Sequence, residues 1–162
     1  KGKSPDILFL PVYYQDVALI AVQAKQLGIG ATLMGVDGWD GVLEKIDKSN
    51  VSAVEGAYFC SQYSAESEDP DVQRFIKDYK AKYNADPNMF AVLGYDAMNI
   101  LLESIKTAGT TDSAKVVDAM KDIKFKGLTG DITFDKDRNP VKSAVITTIK
   151  DGAYKFVEYF EK

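Results

Sequence analysis

The stretch ILFLPVYYQDVALIAVQAKQLGIGATLMG, residues 7–35, predicts a strand, a helix and a second strand. Residues 7–11 form a short, wholly apolar run, which is typical of a parallel strand buried on both faces. Residues 16–27 place apolar side chains on one helical face, with Asp16 suited to the N-cap and Gly28 to the stop. A second short apolar run closes the stretch. This order predicts a βαβ unit with a right-handed crossover.

Later segments repeat the alternation of strands and helices. Residues 54–61 predict a third strand, and Asp69 followed by Pro70 predicts the start of a helix over residues 70–83. Asn88 is expected to cap the longest helix, which continues to about Ala108. One apolar face of that helix is expected to carry Ala91, Tyr95, Met98, Leu102 and Ile105.

The end of the chain has the pattern of antiparallel strands. Residues 130–134 and 141–149 predict strands on either side of a polar turn. Asp151-Gly152 predicts a type I′ hairpin, after which residues 154–160 are expected to pair back. The predicted class is therefore α/β with a C-terminal antiparallel hairpin. Three parallel strands are few for at least five helices, so we expect part of the structure to lie outside this sequence.

Composition excludes several classes of function. The formal net charge is −4 and the basic residues are scattered, so the positive stripe of a nucleic-acid groove is missing. The chain has no histidine, which removes His-based triads and His-ligated zinc. Residues 135–140 begin like a calcium loop but have Pro140 where glycine is needed, which favours a polar turn. We predict no catalytic residue, metal or cofactor, and we expect the single cysteine, Cys60, to be a buried, inert thiol.

Two segments are candidates for a ligand site. Tyr13 and Tyr14 follow the first predicted strand, and Asp37 follows the second. Ligands of open parallel sheets bind outside the carboxyl ends of the strands. A carboxylate would pair with an ammonium group, and the rings would cover the apolar part of a small ligand. The alternatives are that Asp37 only caps the helical turn containing Trp39, and that the tyrosines only pack at a loop.

Six segments of the chain carry a family resemblance that extends over nearly its whole length. In chain order they are PDILFLPVYY (5–14), GVDGWD (35–40), EGAYF (55–59), LGYDA (93–97), GDITFD (130–135) and NPVKSAV (139–145). Together they resemble the branched-chain amino-acid-binding proteins, which are periplasmic or extracellular solute-binding proteins of ABC importers. Val12 departs from the glycine that is usual before the tyrosine pair.

The resemblance implies a type I periplasmic binding fold, in which two Rossmann-like lobes hold ligand in the cleft between them. It implies that residues 1–61 form the later part of the second (C-terminal) lobe. Residues 62–135 would form the later part of the first (N-terminal) lobe, and residues 136–162 would return to the second. Only the C-terminal half of such a protein would be present, with the upstream half absent.

The resemblance also implies roles for individual residues. Asp37 would take the ammonium group of the ligand, while Tyr14 and Tyr13 would line the pocket. Phe90 would approach the ligand's side chain. The groups that hold the ligand's carboxylate would lie in the absent half. The implied function is capture of a branched-chain or other aliphatic amino acid, without catalysis, for an ABC importer.

Partners and location follow from the same resemblance. The implied partners are an amino-acid ligand, an ABC permease and the missing N-terminal half. Self-association or a segment-swapped dimer is also expected, because faces meant for the missing half are apolar. The implied location is extracytoplasmic, in the periplasm or at the cell surface as a lipoprotein, with the export signal outside this chain. The alternatives are a ligand-binding sensor domain of a receptor or regulator with the same fold, and an enzyme using carboxylates or tyrosines.

Overall fold

The computed structural model describes residues 2–160, which form two compact units. The first unit comprises residues 2–66 and Val145–Tyr159, and the second comprises Ser67–Ala144 together with Phe160. The chain thus leaves the first unit after Glu66 and returns to it at Val145. The assignment of these parts to the first and second lobes of a larger protein stays a prediction.

Five helices and eight strands make up the described chain. The helices are α1 (Tyr14–Gln26), α2 (Val42–Lys45), α3 (Pro70–Tyr83), α4 (Met89–Ala108) and α5 (Ser113–Met120). The strands are β1 (Ile7–Leu10), β2 (Thr32–Gly35), β3 (Tyr58–Ser61), β4 (Phe125–Gly127), β5 (Gly130–Phe134), β6 (Pro140–Val141), β7 (Ala144–Lys150) and β8 (Ala153–Phe160). Two 3-10 turns cover Asp37–Trp39 and Lys48–Ala53.

A five-stranded sheet forms the centre of the first unit, in the order β1-β2-β3-β7-β8. The first three strands are parallel, and β7 runs antiparallel to β3. The register pairs Leu10 with Gly35, and Gly35 with Phe59. The carboxyl ends of β1 and β2 therefore meet at one edge of the sheet, as the predicted βαβ unit requires. The α/β class and the terminal hairpin are confirmed.

One face of this sheet is covered and the other is not. Apolar side chains of α1, including Val17 and Ala21, are fully buried in a cluster with Leu10, Leu33 and Phe59. The opposite face carries exposed apolar side chains from β1, β2 and β3, namely Ile7, Phe9, Met34 and Tyr58. The prediction of strands buried on both faces is therefore wrong for the described residues. Cys60 is half-buried, which corrects the expectation of a fully buried thiol.

Two predicted boundaries in the first unit differ from the structure. Helix α1 begins at Tyr14, so Asp16 lies in its first turn and does not cap it. The N-cap position belongs to Tyr13, whose carbonyl accepts the N–H groups of Asp16 and Val17 at 3.0 Å. The third strand begins only at Tyr58, because the chain turns at Gly56, where φ is +73°.

The hairpin at the end of the first unit has the predicted turn. Asp151 and Gly152 both adopt positive φ, 54° and 69°, as a type I′ turn requires. The carboxylate of Glu55 accepts the N–H of Asp151 at 2.6 Å and the N–H of Gly152 at 3.3 Å. Glu55, which lies in one of the family-like segments, therefore holds the hairpin in place.

The predicted strand over residues 141–149 is two strands in the structure. Strand β6 pairs with β5, whereas β7 pairs with β3 in the five-stranded sheet. A single straight strand cannot belong to both ladders, and the chain passes between its two units at this point.

The second unit combines three helices with a small antiparallel sheet in the order β4-β5-β6. The predicted caps are confirmed. The Asp69 carboxylate accepts the N–H of Asp71 at 2.8 Å at the start of α3. The Asn88 side chain accepts the N–H of Ala91 at 3.1 Å at the start of α4. Strand β4, only three residues long, was not predicted.

Helix α4 buries a different face from the one predicted. Tyr95, Met98 and Leu102 of the predicted apolar face are exposed in the described chain. The buried positions of α4 are Met89, Val92, Asp96, Ile100 and Ser104. The buried face includes polar groups because each of them is hydrogen-bonded. The Ser104 hydroxyl donates to the carbonyl of Ile100 at 2.8 Å, and Asp96 is held by three hydrogen bonds.

Candidate functional site

The candidate site lies at the carboxyl edge of β1 and β2, where Trp39 joins the two strands. Its indole N–H donates to the carbonyl of Leu10 at 2.9 Å, and the side chain is fully buried. The indole lies directly on Gly35, where a Cβ atom would overlap the ring. Glycine at the end of β2 therefore lets the following turn fold back onto the end of β1.

Aromatic packing behind Trp39 fixes this arrangement. The Phe59 ring stacks on Trp39 with centroids 6.1 Å apart, and the Tyr154 ring meets Phe59 edge-on at 5.7 Å. The Tyr154 hydroxyl accepts the N–H groups of Gly41 and Leu43, each at 3.1 Å. Burial raises the pKa of the Tyr154 phenol well above its usual value. Side chains of β3 and β8 thus hold the loop after β2 in place.

Asp37 presents its carboxylate to solvent from this supported loop. It is the first residue of the 3-10 turn Asp37–Trp39, and its main-chain carbonyl accepts the N–H of Asp40. Val36 occupies the N-cap position, and no side chain caps the turn. The alternative in which Asp37 serves as a cap is therefore not what the structure shows. No hydrogen bond or ion pair holds the Asp37 carboxylate within residues 2–160, so it is available to an ammonium group.

Tyr13 lies beside the Asp37 turn. Its side chain is 64% exposed. A Cβ atom on Gly38 would come within 3.0 Å of the Val12 carbonyl and 3.3 Å of the Tyr13 ring. The chain after β1 and the turn after β2 are thus in close contact, and the structure brings Tyr13 and Asp37 together at the same edge.

Tyr14 faces a different neighbour. Its half-buried ring packs against the core of the first unit and against Gly41. Gly41 has φ of +102°, and a Cβ atom there would lie 3.3 Å from the Tyr14 ring. Tyr14 therefore supports the loop that carries Asp37, and its ring is less available than that of Tyr13.

Phe90 lies in the second unit, in the first turn of α4, and its side chain is 42% exposed. Its place beside the other three candidate residues stays a prediction.

Asp96, which lies in another family-like segment, holds a turn of the second unit. One carboxylate oxygen accepts the N–H of Leu128 at 2.9 Å. The other accepts the N–H of Thr129 at 2.9 Å and its hydroxyl at 2.8 Å. A Cβ atom on Gly127 would lie 2.6 Å from that carboxylate, so glycine permits the close approach. Asp96 is buried and fully engaged, so its role is structural.

The helices and the acidic side chains of residues 2–160 bear on membrane insertion and metal binding. None of the helices described there is long and apolar enough to cross a bilayer. Within the same residues, Asp, Glu and Cys side chains do not gather in groups of three or more that would hold a metal ion. The Asp135 carboxylate accepts the N–H groups of Asp137 and Asn139, both at 2.8 Å, which confirms the polar turn predicted there.

A family model described as "Periplasmic binding protein" matches residues 1–153. The chain belongs to the periplasmic binding protein family. The resemblance in its sequence segments is thereby confirmed, as is the α/β fold of that family.

Individual relatives of this periplasmic binding protein agree with the family match. The leucine-, isoleucine-, valine-, threonine- and alanine-binding protein of Pseudomonas aeruginosa is 30% identical over 129 residues, covering 76% of this chain and 32% of that protein. A leucine-binding protein of Thermotoga maritima superposes with a TM-score of 0.86 at 32% identity, covering 99% of this chain and 46% of that one. The branched-chain amino acid transporter substrate-binding protein of Streptococcus pneumoniae, in complex with isoleucine, gives 0.80 at 32% identity, covering 94% and 44%. The chain thus spans less than half the length of each of these relatives.

Proposed function

We propose that this chain belongs to a solute-binding protein that captures an amino acid with a branched or other aliphatic side chain for an ABC importer. In this proposal the protein binds its ligand outside the cytoplasm and does not convert it chemically. The proposal rests chiefly on one observation: the Asp37 carboxylate is exposed and held by no hydrogen bond or ion pair within residues 2–160, at the carboxyl edge of β1 and β2.

Asp37 supplies the charge that an amino acid's ammonium group needs. A charge-assisted hydrogen bond of this kind is stronger than a neutral one and gains further when the site excludes water. The loop carrying Asp37 is fixed by the Trp39–Leu10 hydrogen bond and by Tyr154, so little ordering is needed on binding.

Aromatic residues contact the apolar part of the ligand in this proposal. Tyr13, beside the Asp37 turn and 64% exposed, covers the ligand in this proposal. Tyr14 positions the loop through its contact with Gly41. Phe90 approaches the ligand's side chain in this proposal, and the groups that hold the carboxylate lie outside these residues.

The relatives support the aliphatic class of ligand. The Pseudomonas protein is named for leucine, isoleucine, valine, threonine and alanine, and the Streptococcus protein was crystallised with isoleucine. In the same proposal, the first unit belongs to the second lobe of the larger protein and the second unit belongs to the first lobe. An ABC permease is the partner of the ligand-bound protein in this proposal.

Isothermal titration of the full gene product with leucine, isoleucine, valine, alanine and glutamate tests the proposal. We expect the aliphatic amino acids to bind and glutamate to bind far more weakly. Asp37→Asn should cost about 1.5–3 kcal/mol of leucine binding, which is roughly a 10- to 150-fold loss of affinity.

Asp47→Asn is the matched control, because Asp47 is an exposed aspartate of the same unit with no side-chain cap role. It should leave the affinity unchanged. Equal leucine affinity in Asp37→Asn and Asp47→Asn would overturn the role of Asp37. Absence of binding by every aliphatic amino acid would overturn the proposed ligand class.

A further inference from the structure

Helix α3 and the start of α4 form a surface of connected aromatic rings in the second unit. Phe75, Tyr79 and Tyr83 recur every four residues on α3, and their neighbouring ring centroids lie 5.8 Å and 4.6 Å apart. Tyr95 of α4 adds a fourth ring 4.9 Å from Phe75. Spacing of four residues places the α3 rings along one side of the helix.

These rings line an open groove of about 510 Å³. Tyr83 is 57% exposed and Tyr95 is 48% exposed, and Ala91 and Leu128 extend the apolar lining. Continuous exposed apolar patches are uncommon on soluble proteins, and they often mark interaction surfaces. The groove shares no residue with the candidate ligand site.

A row of four charged side chains borders the groove along α3. In chain order they are Asp71, Arg74, Asp78 and Lys82, so their signs alternate. All four are exposed. Asp71 and Arg74 form an ion pair at 2.8 Å, and the Lys82 ammonium lies 5.3 Å from the centre of the Tyr83 ring.

The charges of this row complement the charges of a second copy of the row that runs in the opposite direction. An antiparallel copy of α3, related by a two-fold axis between Arg74 and Asp78, sets Asp71 against Lys82 and Arg74 against Asp78. The same operation sets Lys82 against Asp71 and Asp78 against Arg74, so each opposite-charge pair occurs twice. It also brings the two rows of aromatic rings together. Self-complementarity of this kind is what a two-fold interface requires.

We propose that the α3 groove is a two-fold interface at which a second copy of this chain docks. The aromatic rings supply the buried centre, which is the part that carries most of the energy in such interfaces. The alternating charges form the rim and set the antiparallel register.

The test is the association of the full gene product that contains this chain, measured by light scattering and sedimentation equilibrium over a range of concentrations. We expect a reversible dimer. Lys82→Glu should weaken it by about tenfold, because two attractive pairs become two repulsive ones. Asp71→Lys should weaken it similarly, and the double variant Asp71→Lys with Lys82→Glu should restore it.

Lys77→Glu is the control, since it makes the same charge change at an exposed position outside the groove lining. It should leave the dimer constant within about twofold. Tyr83→Ala should weaken the dimer, with circular dichroism confirming that each variant is folded. The proposal is overturned if the chain is a monomer at all concentrations. It is also overturned if Lys77→Glu and Lys82→Glu have equal effects, or if the double variant stays as weak as the single ones.

Discussion

The indole nitrogen of Trp39 donates to the carbonyl oxygen of Leu10 at 2.9 Å, which ties the turn after β2 to the last residue of β1. Leu10 and Gly35 are already partners in the sheet, so the hydrogen bond closes a small loop of contacts around the end of both strands. The loop that carries Asp37 and the segment that carries Tyr13 are therefore positioned by the same buried side chain.

Removing the indole N–H should destabilise the first unit. Trp39→Phe keeps an aromatic ring but leaves the buried Leu10 carbonyl without its donor, at a cost of about 1–3 kcal/mol in the free energy of unfolding. Urea unfolding followed by circular dichroism measures this. Tyr13→Phe, at an exposed position, should change stability by less than about 0.5 kcal/mol. Equal stability of the two variants would show that the Trp39–Leu10 hydrogen bond does not contribute to the free energy of unfolding.

Tyr154 should make stability fall at high pH. Burial raises the pKa of its phenol above the ordinary value of 10.0, so the folded state keeps a proton that the unfolded state releases. The resulting stabilisation is complete below pH 10 and is lost as pH rises from there toward the folded pKa. The free energy of unfolding between pH 8 and 11 should therefore decline more steeply in the wild type than in Tyr154→Phe. Parallel curves would contradict the burial of this hydroxyl.

Glu66 should titrate below its ordinary range. The Lys155 ammonium donates to its carboxylate at 2.6 Å, and the N–H of Phe156 donates at 2.9 Å. These bonds hold the pKa of Glu66 below 4.5, so its stabilising effect is present above that pH and is lost as pH falls through the folded pKa. The site is largely exposed, so the effect on stability is small. An NMR titration should find the midpoint below 4.5 in the wild type, and closer to 4.5 in Lys155→Met. A midpoint that does not move would rule out this pairing.

Asp96 should be essential to the second unit. Asp96→Asn replaces one acceptor oxygen by an N–H₂ group, which then faces either the N–H of Leu128 or the two donors of Thr129, at a cost of about 1.5–3 kcal/mol. Thermal unfolding compares this variant with Asp122→Asn, an exposed aspartate of the same unit that should change little. A stable Asp96→Asn variant would mean that the turn at residues 127–129 holds without the carboxylate.

Local sequence patterns predicted the elements that depend on local interactions. The caps at Asp69 and Asn88 and the hairpin at Asp151 are each determined by residues within a few positions of one another. The βαβ unit follows from three consecutive segments whose strand or helix pattern is local to each segment. The buried face of α4 was predicted incorrectly, because it is set by α5 and by the turn that Asp96 holds more than thirty residues away. The division between β6 and β7 likewise depends on which sheet each one joins.

The candidate site shows the same limit. Strand ends alone predicted that Tyr13 and Asp37 would meet at one edge, since both follow parallel strands. The sequence did not predict that Tyr14 would turn toward Gly41, because this depends on the positive φ at that glycine. The hydrogen bonds of Tyr154 to the loop after β2 were also missed, since they join residues over a hundred positions apart.

The most direct test of the account is a thermodynamic cycle on the full gene product, with leucine and its analogue lacking the α-amino group as ligands. Isothermal titration is carried out with the wild type and with Asp37→Asn. If the Asp37 carboxylate holds the ammonium group, the two changes should be strongly non-additive, with a coupling of about 1.5–3 kcal/mol. Additive losses would contradict the central claim that Asp37 is the residue that takes the amino group. In that case Asp37→Asn would weaken the binding of both ligands equally, or the binding of neither.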